Sequence, residues 1–145
     1  MQFGIGRITA AIYRTNQVIL NERLKELDIS GGQIDYLYVI ARSEGLSQVE
    51  LADILFVNKS AVTKVVNAFV KKGYVRRETD SIDHRVSRLY LTDKGHNIKK
   101  SVEEAFQDLI FLHNKYLTEE ENTQTIQALE KVLSGLLQEK EKIKE

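Results

Sequence analysis

The 145-residue chain carries 21 Lys+Arg against 21 Asp+Glu, is 42% hydrophobic and contains neither proline nor cysteine. Its length matches one compact domain or intertwined subunit at about 150 residues per domain, large enough to hold a core without metal or disulfide. The missing cysteines exclude thiolate nucleophiles, cysteine-ligated zinc and thiol redox sensing, and Arg7 and Arg14 interrupt the unbroken apolar run that a signal peptide or membrane span needs, so a soluble cytoplasmic protein is expected.

Without proline, helices can run uninterrupted. Three S/T-x-x-E/Q signatures mark starts: Ser30 with Gln33, Ser47 with Glu50 and Thr118 with Glu121. Ile5, Ile8, Ile12 and Ile19 share one face of a first helix that can continue through Leu20, Leu24 and Leu27, with a break between Asp28 and Gly32. A second helix carries Ile34, Leu37, Tyr38 and Ala41 and stops at Gly45; a short third follows Ser47 with Val49, Leu51, Ala52 and Leu55 on its apolar side. After a tight connection at Phe56 and Val57, Asn58 caps a fourth helix from Lys59 to about Lys72. There Val62, Val65, Val66, Phe69 and Val70 are expected inside, and Lys59, Ser60, Thr63, Lys64 and Asn67 outside. Gly73 ends this helix. Tyr74 to Arg77 and Arg88 to Leu91 read as two short strands joined by a polar turn from Thr79 to Ser87, a β-hairpin. Thr92 caps a long fifth helix with Ile98, Val102, Ala105, Phe106, Leu109 and Leu112 on its buried side, and a last helix from about Glu119 carries Ile126, Leu129, Val132, Leu133 and Leu136.

The overall neutrality conceals three regions of different sign. Residues 1–55 hold five basic against seven acidic side chains, residues 56–100 eleven against four, and residues 101–145 five against ten. The central excess of seven positive charges coincides with the fourth helix and the hairpin, which is the distribution of a nucleic-acid contact flanked by an acidic scaffold. Two helices joined by a tight turn, the second with a polar face, followed at once by an arginine-rich hairpin, is the order of a winged helix-turn-helix. Such a helix can enter a major groove while the hairpin lies over the backbone or the minor groove, where a narrow negative channel attracts arginine. Ser47 and Gln48, at the start of the third helix, can direct polar groups toward a phosphate; Ser47 can equally serve only as a helix cap.

The runs Leu51-Ala52-Asp53, Asn58-Lys59-Ser60-Ala61-Val62-Thr63, Lys72-Gly73-Tyr74-Val75, Asp83-His84-Arg85 and Leu91-Thr92-Asp93-Lys94-Gly95 resemble, in order and spacing, the MarR-type transcriptional regulators. Long helices at both ends match as well, so the resemblance covers essentially the whole chain. It implies a mainly α fold with a small β-hairpin wing, a DNA-binding lobe over 30–92 and helical dimerisation regions over 1–27 and 93–145. The implied function is a sequence-specific double-stranded DNA-binding regulator, a repressor acting as a homodimer and released by a small-molecule effector. DNA-binding residues are expected at Ser47, Gln48, Asn58, Lys59, Ser60, Thr63, Lys64, Asn67, Arg76, Arg77, His84, Arg85 and Arg88. The family's wing-tip arginine falls on Arg85 and its acidic companion on Asp83, a wing-orienting residue expected to restrain an arginine such as Arg77. His84 departs from the family, where a second arginine is common, which softens one phosphate contact or makes it pH-sensitive.

Ile5, Ile8, Ile12, Phe106, Leu109, Ile126, Leu129 and Leu133 are candidate dimer-interface residues, the alternative being a core within one chain. Tyr13, Tyr36, Phe106 and His113 are candidate lining residues of an effector pocket. His84, His96 and His113, the only histidines, lack compact metal-ligand spacing, so no metal and no cofactor are expected; no phosphate loop or nucleophile elbow marks an enzyme. The alternative function is a winged-helix module that binds protein and little or no DNA.

Overall fold

The computed structural model describes residues 3–144; positions 1, 2 and 145, at the ends of the expected dimerisation ranges, lie outside them. The chain forms two units, one running to Leu109 and one beginning at Ile110. In chain order the elements are α1 (Ile5–Arg23), a single 3-10 turn (Lys25–Leu27), α2 (Gly31–Arg42), α3 (Gln48–Leu55), α4 (Lys59–Lys72), β1 (Val75–Thr79), β2 (Ser87–Leu91), α5 (Asp93–Lys115) and α6 (Glu119–Lys144).

In the first unit the helical stripes converge. Ile34, Leu37 and Ile40 of α2, Leu51 of α3, Val62, Val66 and Phe69 of α4, Val75 and Leu89 of the hairpin and Val102 of α5 are fully buried. Each such side chain contributes roughly 1.5–3 kcal/mol of transfer free energy. The modest helix propensity of the valines in α4 is thereby overridden by packing. Val70, expected inside, is 39% exposed: it lies in the last turn before Gly73, at the margin of the face that Val62, Val66 and Phe69 bury.

Two of the three capping signatures close reciprocally. The Ser47 hydroxyl accepts the Glu50 N–H (3.1 Å) while the Glu50 carboxylate accepts the Ser47 N–H (2.6 Å). Thr118 and Glu121 do the same at 3.1 and 2.8 Å. Ser30 makes no side-chain cap; the Gly31 N–H goes instead to the Asn21 side-chain oxygen of α1 at 2.5 Å. The first helix is also shorter than its apolar stripe. It ends at Arg23, and Asp28, with φ of 48°, turns the chain into α2, although Leu24 remains buried.

β1 and β2 pair antiparallel, with Val75 opposite Leu91, Arg77 opposite Leu89 and Thr79 opposite Ser87. The segment before α3 joins the sheet's edge: Gly45 N–H donates to Leu89 O (2.7 Å) and Leu89 N–H to Leu46 O (2.9 Å). This ties the start of α3 to the hairpin. At the hairpin's foot, Gly73 caps α4 with φ of 80°, a conformation costly for side chains with a Cβ. Thr92 N–H donates to Tyr74 O, and the Thr92 hydroxyl oxygen accepts the Gly95 N–H, starting α5.

The second unit holds the end of α5 and the long α6. Ile126, Leu129, Val132, Leu133 and Leu136 follow one another at helical spacing and range from 36% to 63% exposed.

Candidate nucleic-acid interface

The turn between α3 and α4 sets the arrangement. Phe56 takes a left-handed φ of 54°, ending α3, and the Asn58 side-chain oxygen accepts the Ala61 N–H (2.8 Å), starting α4. The Asn58 oxygen is thus committed to the cap. The same register that buries Val62, Val66 and Phe69 leaves Lys59, Ser60, Thr63, Lys64 and Asn67 exposed, as their spacing predicts.

Beside this face lies a cleft of about 270 Å³ lined by residues of three segments: Ser47, Gln48 and Val49 from the start of α3, Lys59 and Thr63 from α4, and Arg85, Val86 and Ser87 from the wing. Two cations and an α-helix N-terminus border it, a combination suited to an anion. Ser47 is buried and its hydroxyl oxygen accepts the Glu50 N–H, so it serves as a helix cap. The Thr63 hydroxyl donates to Lys59 O (3.1 Å) and accepts from the Gln48 amide at 3.4 Å.

The four wing arginines are all partnered, differently from expectation. Arg77 does not pair with Asp83. Its Nε donates to Gln48 Oε1 (2.7 Å) and a terminal nitrogen to Asn67 Oδ1 (2.5 Å), because β1 runs beside α4 with Arg77 toward the recognition face. Asp83 instead holds its near neighbour Arg85 through two side-chain hydrogen bonds of 3.0 and 3.1 Å. That bond pulls the Asp83 carboxyl below its ordinary range and raises the Arg85 guanidinium. Arg85 is still 90% exposed, so it keeps donors for an external anion. Arg76 pairs with Glu78 and lies over the Tyr90 ring. Arg88 spans Asp80 (2.5 Å) and Gly45 O (2.9 Å), tying the wing to the start of α3. Among these, Arg85 offers the most accessible charge, with exposed His84 beside it.

Asp80 is the functional residue that pattern reading missed. Its carboxylate accepts the N–H groups of Asp83 and Ile82 and the Arg88 guanidinium, which hold its pKa at about 2. An aspartate two and three residues ahead of turn amides is the signature of an Asx turn, and the run Asp80-Ser81-Ile82-Asp83 carried that signal.

The residues proposed from sequence for an effector pocket have diverse surroundings. Tyr36 belongs to the core, and burial, then the nearby Tyr13 and Asp35, raise its pKa. Tyr13 is exposed, and Phe106 stacks on Tyr38 at 4.2 Å between ring centroids. His113 lies in the second unit. Among the described residues no His, Asp and Glu cluster could hold a metal ion, and no helix is long and apolar enough to cross a membrane.

The family model described as the MarR family matches residues 27–85, from the end of the 3-10 turn to Arg85. The multiple antibiotic resistance protein MarR of Escherichia coli is 32% identical over 130 residues, 89% of this chain and 90% of that protein. Two other curated relatives, 26% and 36% identical, are spanned over only 58% and 46% of their own length. Among solved structures, a mutant of E. coli MarR complexed with operator DNA is 32% identical, with a TM-score of 0.76 over 89% of this chain and 93% of that one. A MarR family regulator from Listeria monocytogenes complexed with a 26-mer DNA is 25% identical, with a TM-score of 0.84 over 95% of this chain and 92% of that one. The winged helix-turn-helix, mainly helical with a two-stranded wing, is therefore shared with these proteins along nearly the whole chain, and the chain belongs to the MarR family of transcriptional regulators.

Proposed function

We propose that this protein is a cytoplasmic repressor that binds double-stranded DNA sequence-specifically as a homodimer and catalyses no reaction. The observation that carries the reading is the convergence on one cleft of the α3 N-terminus, Lys59 of α4 and Arg85 of the wing, next to the exposed polar face of α4. In this arrangement α4 enters a major groove with Ser60, Thr63, Lys64 and Asn67 toward the bases. Lys59 and the first turn of α3 meet phosphates, and Arg85 with His84 reaches the adjacent backbone or minor groove. Arg76, Arg77 and Arg88 act mainly through the partners they hold.

Half-exposed Ile5, Ile8 and Ile12 on α1, and Ile126, Leu129 and Leu133 on α6, support a homodimer through the terminal helices. Phe106 and Leu109, packed with the first unit's core, are better explained as core residues. A two-fold dimer places its recognition helices about 34–36 Å apart on a pseudopalindromic operator. A small-molecule effector belongs to the same proposal, near Tyr13, Tyr36 and Phe106. It releases DNA only by favouring a DNA-incompetent arrangement.

Titration of random duplex DNA at two salt concentrations tests the reading: affinity should fall steeply as salt rises. Selection from a random duplex pool should then return two half-sites one helical turn apart. Absence of binding at low salt would sink the DNA reading and favour a protein-binding module.

A further inference from the structure

The hydrogen bonds of Arg77 carry a consequence for which bases can be read, one that rests on the DNA-binding reading. A guanidinium has five donors and no acceptor. Whatever amide atom meets it at hydrogen-bond distance must therefore be an oxygen. Arg77 meets two amides, Gln48 at 2.7 Å and Asn67 at 2.5 Å. Both oxygens are thereby turned toward the protein, and the NH₂ group of each, at the opposite end of the same planar amide, is turned away. One Gln48 hydrogen goes to the Thr63 hydroxyl at a long 3.4 Å, and the Asn67 nitrogen makes no hydrogen bond within the described residues.

We propose that Arg77 is a positioning residue that sets the polarity of the recognition surface: it makes Gln48 and Asn67 donors toward DNA. In the bidentate pairing of Asn or Gln with adenine, both ends of the amide face the base, donating to N7 and accepting from the N6 amino group. With the oxygen ends turned to Arg77, that pairing is disfavoured. The amides then favour edges that offer acceptors without a donor, guanine O6 and N7 or thymine O4; adenine N7 also accepts, but the N6 amino group beside it sets donor against donor. Thr63, whose hydroxyl proton is committed to Lys59 O, adds no competing donor. Arg77 thus shapes specificity without itself touching a base, and the central positive charge of β1 serves the neighbouring helices rather than a phosphate.

The experiment uses the full-length protein with duplexes selected from a random pool, followed by anisotropy titrations in which single base pairs are exchanged. Wild type should prefer guanine or thymine over adenine by about tenfold at the positions facing Gln48 and Asn67, the size of one good hydrogen bond. Arg77→Met frees both amides to rotate. It should collapse that preference below about threefold and admit adenine, while the dependence of affinity on salt stays that of wild type. An unchanged base preference with a salt slope lowered by about one would make Arg77 a phosphate contact and overturn the inference. Gln48→Glu provides a second arm that leaves Arg77 its acceptor: its outward atom becomes an acceptor, so whatever affinity is lost, preference should turn toward the cytosine amino group. Retention of the wild-type preference in Gln48→Glu would overturn the inference even if Arg77→Met failed to fold. Wild type that binds selectively but favours adenine at these positions sinks this inference alone. Wild type that binds no duplex at low salt sinks the DNA reading and this inference with it.

Discussion

A methyl group at Gly95 would stand 2.2 Å from the Tyr74 carbonyl oxygen and 3.2 Å from the Leu91 side chain. The backbone oxygen cannot swing aside, because it accepts the Thr92 N–H at the foot of the wing. Gly95→Ala should therefore destabilise the protein by about 1–3 kcal/mol, despite alanine's better helix propensity, and thermal unfolding would show it as a lowered midpoint. The resemblance included Gly95 in a motif; only the approach of Tyr74 explains why glycine stands there. Arg85 is the opposite kind of residue, 90% exposed and, among the described residues, held by Asp83. Arg85→Ala should leave the unfolding midpoint close to that of wild type, as surface changes do, and weaken DNA binding with a reduced salt slope. Unchanged affinity would remove the wing tip from the DNA. The family resemblance marked Arg85 as the wing-tip arginine, but the reading of Asp83 as a partner of Arg77 missed: charge complementarity named an arginine, and which one depended on the turn geometry.

At the scale of elements, α3 and the wing are each held by one carboxylate. The Ser47–Glu50 box starts α3, and because Ser47 is buried and its hydroxyl oxygen serves that box, Ser47→Ala should cost about 1 kcal/mol of stability without lowering the salt slope of DNA binding. A lost phosphate contact would show instead as a shallower slope. In the wing, Asp80 sits at about 2 against an ordinary 3.8, so its folded-state pKa is depressed. Its ionised form stabilises the fold fully above the ordinary value, and this contribution is lost as pH falls from about 4 toward 2. Wild type should lose stability across that window, and Asp80→Asn should flatten the loss while lowering stability at neutral pH. Equal acid sensitivity in both proteins would show that other carboxylates govern it. Helix boundaries and caps were legible where the residues concerned are neighbours in sequence, as at Ser47, Asn58 and Gly73. The pattern misjudged Ser30, whose capping place is taken by Asn21, and the first helix, whose apolar stripe continues past its last turn as buried Leu24 without continuing the helix.

On the scale of the whole molecule, apolar side chains at helical spacing lie uncovered on α1 and on α6. If they form the homodimer interface, Ile12→Glu or Ile126→Glu should weaken self-association by at least about tenfold, since burying an isoleucine contributes roughly 1.5–3 kcal/mol. Sedimentation at falling concentration would report it, and unaltered association would exclude that face. The sequence by itself determined the order of elements, the two faces of α4 and the concentration of positive charge between residues 56 and 100. Those properties rest on periodicity, capping chemistry and composition, which are local. Only the tertiary structure decided that Arg77 meets Gln48 and Asn67, that Arg88 is spent on Asp80 and Gly45, and that Tyr36 belongs to the core. Those contacts join residues 8 to 43 positions apart or depend on burial. They exist only once the strands pair and the helices pack, because hydrogen bonds between side chains depend on ångström-scale placement that no spacing along the chain encodes.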